Sequence, residues 1–405
     1  MKPTKFLIEN RHFLLTFCCV LMASVAYSPF MLSFSMFAFA FLVLLQLKVG
    51  IWHFSLKPNY EDAPRLLTIF KYPSFLVISL FFFIVLLSFW QAYDYDYWLA
   101  RLRIKIPFLV FPLMFVALPG FSKKEIQGLF YFLILALFVT SLGVGVNYLL
   151  HFEEINELLK QGQPMPTPHN HIRFSLLLAL GVVAGIYLIE EGFYWRYTWE
   201  KRFILFITLF LFFFIHLLSV RSGLLSLYAV LVVLAFRYIL IKKRYLLGLI
   251  FVGIIVLVPV AAYHWVPSFK SKVAYMKYDY YMYNKGEGEL YADSGRLVSI
   301  KVGLDIARRY PWFGVGAGNL KAEVKRVFAE DYPGFEEAHM PHNQFLFVAA
   351  GSGIIGLLIF LFAFFFPLFY KKNYRHTLFL GFYSIIFVAF MIEHSIENSI
   401  GVGFY

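Results

Sequence analysis

Apolar runs of about 20 residues, the length that crosses a bilayer as a helix, alternate with short polar breaks along most of this chain. They fall at about 12–27, 30–47, 73–92, 107–119, 127–149, 173–190, 203–219, 223–241, 245–263, 344–370 and 377–394, which predicts eleven spans. The closing Gly401-Val402-Gly403-Phe404-Tyr405 reads as the start of a twelfth span that is missing or very short. The expected fold class is an all-α polytopic membrane protein with about 11–12 transmembrane helices. The alternation fails once, over the polar stretch 264–343. The chain therefore divides into helices at 1–263, one large loop at 264–343 and C-terminal helices at 344–405.

Within that loop the pattern changes period. A tyrosine-rich start (Tyr275, Tyr278, Tyr280, Tyr281, Tyr283) leads to Lys285-Gly286-Glu287-Gly288-Glu289, which reads as a flexible turn. Ser294 is a candidate N-cap. Leu297, Ile300, Leu304 and Ala307 then recur at helical spacing, so an amphipathic helix is expected from Arg296 to Arg309, stopping at Pro311. Asn319 is placed to cap a second helix with Leu320, Val324, Val327 and Phe328 on one face, ending near Pro333-Gly334.

Composition supports the membrane reading: 60% of the 405 residues are hydrophobic and only 15% charged, against about a quarter charged in soluble domains. The net charge of +12 does not point to nucleic acid, because most Lys and Arg lie between apolar runs. The N-terminus and alternate loops carry nineteen of them, and the short loops on the other side carry six. The positive-inside rule then places the N-terminus in the cytoplasm and the 264–343 loop outside. Ser24-Val25-Ala26 loosely resembles a signal-peptidase site, but an uncleaved first span keeps the loop parity consistent. Cys18 and Cys19, adjacent in the first run, suggest neither a disulfide framework nor a metal site.

Several outer residues have both a chemical and an ordinary reading. Arg221, in a short turn between apolar runs, either snorkels to the interface or binds an anion bidentately. Arg296, in the first turn of its expected helix, is either a solvated charge or a partner for an anion at the helix N-terminus. His342 is either an interfacial histidine or a general base. A metal pair with His339 is disfavoured by Pro341 and by the lack of a third ligand. His169, Asn170, His171 and Arg173 either shape a substrate site or form a capped turn. Arg101, Arg103 and Lys105 stand outside against the charge rule, as lipid-phosphate ligands or as tolerated interface charges. Gly314-x-Gly316-x-Gly318 has no preceding strand, which argues against a nucleotide fingerprint. Glu393, His394 and Glu397 lie near the outer end of the last span with no role assigned.

Taken together, Arg221-Ser222-Gly223, Ser294-Gly295-Arg296, the segment from Pro311 to Asn319, and His342-Asn343-Gln344-Phe345-Leu346 followed by Gly351 and Gly356 resemble the O-antigen ligase and polymerase superfamily. The likeness covers the chain from about the fifth span to the eleventh, and the last span expected of the family is absent or truncated. The resemblance implies an architecture similar to class C glycosyltransferases in the bacterial inner membrane. It implies transfer of a glycan from undecaprenyl diphosphate on the periplasmic side, with no metal, cofactor or nucleotide sugar. By the same resemblance Arg221 and Arg296 bind the diphosphate, His342 is catalytic, and Arg101, Arg103, His169, Asn170, Arg173 and Asn343 are substrate-binding candidates.

The implied reaction is inverting. Two arginines stabilise the departing diphosphate and His342 accepts the proton of the acceptor hydroxyl. The expected acceptor is lipid A–core oligosaccharide, with membrane lipids around the enzyme and no nucleic-acid partner. A polymerase and a protein O-oligosaccharyltransferase use the same residues with other acceptors. A flippase for the lipid-linked glycan is the alternative from another class. It requires charges at mid-membrane depth in several spans, and the spans here are nearly charge-free.

Overall fold

The computed structural model describes residues 7–8, 10–50, 53–58, 67–118, 120–168, 170–285, 287, 292–335 and 337–405. Its helices follow the hydrophobic runs: α1 (Asn10–Tyr27), α2 (Pro29–Leu44), α3 (Pro73–Gln91), α4 (Tyr95–Ala117) and α5 (Lys123–Leu150). A short amphipathic α6 (Phe152–Lys160) precedes α7 (His171–Glu190), α8 (Glu200–Leu218), α9 (Arg221–Phe236) and α10 (Tyr245–Trp265). The polar stretch holds α11 (Pro267–Asn284), α12 (Ala292–Arg309) and α13 (Leu320–Asp331), and α14 (Gln344–Phe369), α15 (Thr377–Ile392) and the six-residue α16 (Ser399–Phe404) follow.

Eight helices among the described residues are long and apolar enough to cross a membrane. This is a multi-pass membrane protein. The other three expected spans are apolar helices of a different build. α2 and α15 have 16 residues each. The expected span at 107–119 is the second half of α4, whose first half carries Arg101, Arg103 and Lys105.

The fold class read from the sequence holds, with one addition. The second run ends at Leu44 rather than 47, and the chain turns into a small antiparallel sheet of β1 (Leu7–Ile8), β2 (Leu45–Gly50) and β3 (His53–Pro58), with Leu47 paired to Leu56. The alternation of Leu45, Leu47 and Val49 with Gln46 and Lys48 has the two-residue period of a strand.

α7 is the central staff, with 78% of its apolar window buried, whereas α10 has 11% of its window buried and faces outward. α7 packs on α8, α9 and α15. Gly223 of α9 lies against Ser175 of α7, where a Cβ would overlap the Ser175 side chain. Its small size serves helix contact.

The long polar segment is more ordered than its composition suggests. Its tyrosine-rich start is helix α11, opened by Pro267 in the first turn. The expected flexible turn includes Gly286, Gly288 and Glu289, which lie outside the described residues. α12 begins at Ala292, so Ser294 is inside the helix rather than at its cap. The capping oxygens come from Asp279 of α11, which accepts from the Asp293 amide at 3.1 Å and from Ser294 Oγ at 2.9 Å. Arg296 therefore sits beyond the first turn.

The face of α12 also differs from expectation. Val298, Val302 and Ile306 are buried, while Leu297 and Leu304 are exposed. The β-branched row packs with Leu320, Val324, Val327 and Phe328 of α13 and with Phe347 and Ala350 of α14. The amphipathic face expected for α13 holds. Burying each of these side chains is worth about 1.5–3 kcal/mol, enough to keep α12 and α13 folded onto the bundle.

α14 is broken in the middle. Gly353 has φ 65° and ψ −169°, and the segment 311–318 fills the break. Ile354 N donates to Pro311 O at 2.8 Å, while Val315 N and Gly316 N donate to Ala350 O and Gly351 O at 3.0 and 2.9 Å. An unsatisfied backbone group costs several kcal/mol in a membrane, and here every such partner is protein. The glycine-rich segment is thus the seal of an interrupted helix. Asn319 does not cap α13 by its side chain. It accepts from Tyr93 N at 2.9 Å and donates to Gln91 O at 2.7 Å, tying the seal to the end of α3.

Candidate functional site

Four helices begin at the end of the bundle where the long segment packs: α7 at His171, α9 at Arg221, α12 at Ala292 and α14 at Gln344. Each helix N-terminus carries roughly half a positive charge. Asn170 accepts from Ile172 N at 2.9 Å and Arg173 N at 3.1 Å, and Asn343 accepts from Leu346 N at 3.0 Å. α9 has no side-chain cap, so the amides beside Arg221 stay open. Two helices end at the same level, and their negative ends are masked by donors. Ser219 Oγ and Ser268 Oγ each donate to a carbonyl of α8 at 2.6 Å, and Asn343 Nδ2 donates to Met391 O of α15 at 3.0 Å.

Three arginines and two carboxylates alternate across this electropositive face. Arg221 pairs with Asp293, and Asp293 lies 3.9 Å from Arg296. Arg296 lies 3.9 Å from Glu393, and Glu393 lies 3.6 Å from the buried Arg173. Both contacts of Arg296 are beyond hydrogen-bond length. Among the described residues its guanidinium is held by charge and makes no side-chain hydrogen bond. Lys272 adds a further cation. Burial, aided by Arg221 and opposed by Asp293, pushes its pKa down to about 8. Its Nζ donates to Gly162 O and Gln163 O at 2.8 Å, holding the turn that carries Pro164, Pro166 and Pro168.

His342 reaches the same place from α14. Its amide donates to Ser299 Oγ at 3.2 Å, and Ser299 Oγ donates to Arg296 O at 2.7 Å, so histidine and arginine share one anchor. The His342 ring meets that of His394 with centroids 5.5 Å apart. Burial pushes the His342 pKa down to about 3, with the positive fields of His394, Arg296 and His339 adding to it. The ring is therefore neutral near pH 7, the form that can accept a proton. His394 stacks on Phe347. Burial lowers the His394 pKa too, against the opposing pull of Glu397 and Glu393.

The other candidates separate. Asn170 caps α7 through Oδ1, and Asn343 spends both polar atoms on helix ends. Arg101 donates to Glu397 O at 3.0 Å, and Lys105 is buried with its Nζ 2.7 Å from both Glu397 Oε1 and Ile396 O. Gln344 completes that network with a 2.8 Å bond to Glu397. Burial opposes ionisation of Glu397, but Lys105, Gln344 and Arg101 outweigh it and hold its pKa below the usual carboxylate range. Arg103, two positions from each cation, stands exposed on another side of α4. Arg101, Arg103 and Lys105 thus do not form one phosphate-binding row. His169 lies outside the described residues.

Sequence reasoning gave no role to Asp293, Lys272, Glu393 or His394. Asp293 is signalled only by its three-residue spacing from Arg296, and the pair Glu393-His394 by its place at a span end. Lys272 carries no signal of its own. Residues 206–361 match the family model for O-antigen ligase, a stretch that includes Arg221, Arg296 and His342. No curated protein matches the chain.

Proposed function

We propose, from the match of residues 206–361 to the O-antigen ligase family model, that this chain is a membrane glycosyltransferase that moves a glycan from undecaprenyl diphosphate to lipid A–core oligosaccharide. The observation that carries this reading is the array Arg221–Asp293–Arg296–Glu393–Arg173, where α7, α9 and α12 begin and α15 ends, with the neutral ring of His342 beside it at the start of α14.

In this reading Arg221 and Arg296, with the open amides of α9, hold the diphosphate. As the bond between the sugar anomeric carbon and the diphosphate oxygen breaks, its electron pair stays on the lipid diphosphate, which gains one negative charge. Fixed, pre-oriented cations stabilise that charge. The acceptor hydroxyl forms the new bond from the opposite face and passes its proton to His342, which inverts the anomeric centre. The lipid tail lies between helices. The loop 264–343 with its helices is the periplasmic unit, the N-terminus is cytoplasmic, and the protein resides in the bacterial inner membrane.

The test is a reconstituted transfer reaction. Purified protein is mixed with undecaprenyl-diphosphate glycan and lipid A–core in EDTA, beside His342→Ala and Arg296→Ala. Glycan on the core, lost in both variants, is the expected result. Lengthening of the carrier-linked glycan instead assigns a polymerase. Retention of anomeric configuration rules out the single-displacement mechanism. Donor binding with no transfer to any glycan acceptor overturns the enzyme reading in favour of transport.

A further inference from the structure

Helices α7, α9 and α15 each have a second end, and these ends meet around another cavity. α7 spans 20 residues, about 30 Å of helix, so this cavity lies roughly one bilayer thickness from the arginine array. It encloses about 260 Å³ and is lined by Glu190, Arg237, Lys242, Arg244, Arg375 and His376, among others. A single water needs about 10–15 Å³ of such space, so the cavity admits a much larger group.

Its floor is neutral and rigid. The buried Arg237 donates to Glu190 at 3.0 Å and to Arg375 O at 2.9 Å, while Tyr238 and Thr377 also bond Glu190. Glu191 is paired with Lys123. The rim is not neutral: Lys242, Arg244 and Arg375 are exposed around the mouth, and both nearby carboxylates are already engaged. Two turns carry this rim, and Lys243, Lys371 and Lys372 within them adopt left-handed backbone with φ of 53°, 48° and 62°. Such conformations are uncommon for lysine and persist where the surroundings fix them. Trp195, Trp199 and Tyr245 are exposed at the same end, which marks the headgroup level of a membrane. An orientation signal needs positive charge near helix ends, but it needs no cavity with a neutralised floor.

We infer that this cavity binds the phosphate of an anionic phospholipid headgroup, through Arg244, Arg375 and Lys242. The site is independent of the transfer reaction proposed above. A basic pocket between helices at the membrane surface is the kind of place where a lipid phosphate is held.

The experiment uses the full chain in neutral detergent and measures binding of labelled phosphatidylglycerol and phosphatidylcholine. The Arg244→Gln/Arg375→Gln variant is compared with Arg196→Gln/Arg202→Gln, which removes the same charge from exposed positions at the same end. Wild type and the second variant are expected to prefer phosphatidylglycerol. The first variant should bind it roughly tenfold more weakly, with its thermal unfolding unchanged. Competition by millimolar inorganic phosphate supports recognition of the phosphate itself. Binding of free phosphate without phosphatidylglycerol assigns the soluble source to the same site. Equal loss in both variants overturns the inference, as does an absence of preference for phosphatidylglycerol together with no binding of inorganic phosphate.

Discussion

His342, at the start of α14, and His394, past the end of α15, touch edge to face at 5.5 Å, and the Nδ1 of each is buried with no partner among the described residues. Buried imidazole nitrogens left without a partner are costly unless something else uses them. The His394 ring packs between those of Phe347 and His342, so it positions the catalytic candidate. His394→Phe is expected to keep the fold and to reduce kcat by about tenfold or more, with the KM for donor little changed. Unchanged kcat in this variant would remove His394 from the site's machinery.

Acid should act through the same pair. The His342 pKa is depressed from 6.5 to about 3 in the fold, so between these values the unfolded chain binds more protons. Stability is then full above pH 6.5 and falls as pH drops toward 3. The apparent Tm in detergent is expected to decline from pH 7 to pH 4.5, with a shallower slope in His342→Phe. Equal slopes would show that the ring ionises as freely in the fold as in the unfolded chain.

Glu393 joins Arg173 to Arg296. Removing it leaves Arg173, 7% exposed, without its counter-charge. Breaking a buried pair from one side costs about 3–5 kcal/mol. Glu393→Ala should lower both Tm and transfer, and the double variant Arg173→Met/Glu393→Ala should recover Tm without recovering activity. A fully additive double-mutant cycle in Tm would mean that the two side chains do not interact.

Arg296 keeps its N–H groups beyond hydrogen-bond distance of both carboxylates, at 3.9 Å. Arg296→Lys preserves the charge and loses the planar fork that matches two phosphate oxygens. Transfer is expected to fall by about tenfold or more, with most of the effect in kcat/KM for the donor. Wild-type rates in this variant would show that charge alone suffices.

The interruption of α14 rests on Gly353. A Cβ there overlaps the Trp312 backbone, and the φ of 65° is itself unfavourable for alanine. Gly353→Ala is expected to destabilise the protein by more than about 1 kcal/mol and to release the segment 311–318. Faster hydrogen exchange at Val315 and Gly316 reports this directly. Unchanged protection at those two amides would show that the segment holds without the break.

The apolar runs determined the helices, because in a bilayer a run of such residues has little choice but to bond its own backbone as helix. The same local logic made the α13 face of Leu320, Val324, Val327 and Phe328 legible, since its partners are the next things it meets. Arg221 and His342 were legible as polar groups at span ends, Arg296 as a cation near a helix start in the polar loop, and all three through the family they resemble. Tertiary structure decided the rest. On α12 both Leu297/Leu304 and Val298/Val302 are apolar rows at helical spacing, and only the shape of α13 and α14 selects the second. Asn319 satisfies capping rules in sequence, yet the end of α3 offers its amide and carbonyl closer partners. Asp293, Glu393 and Lys272 gain meaning from charges far away in the chain, because an ion pair depends on distance in space. So does the pairing of His342 with His394, which brings together the start of one helix and the end of another.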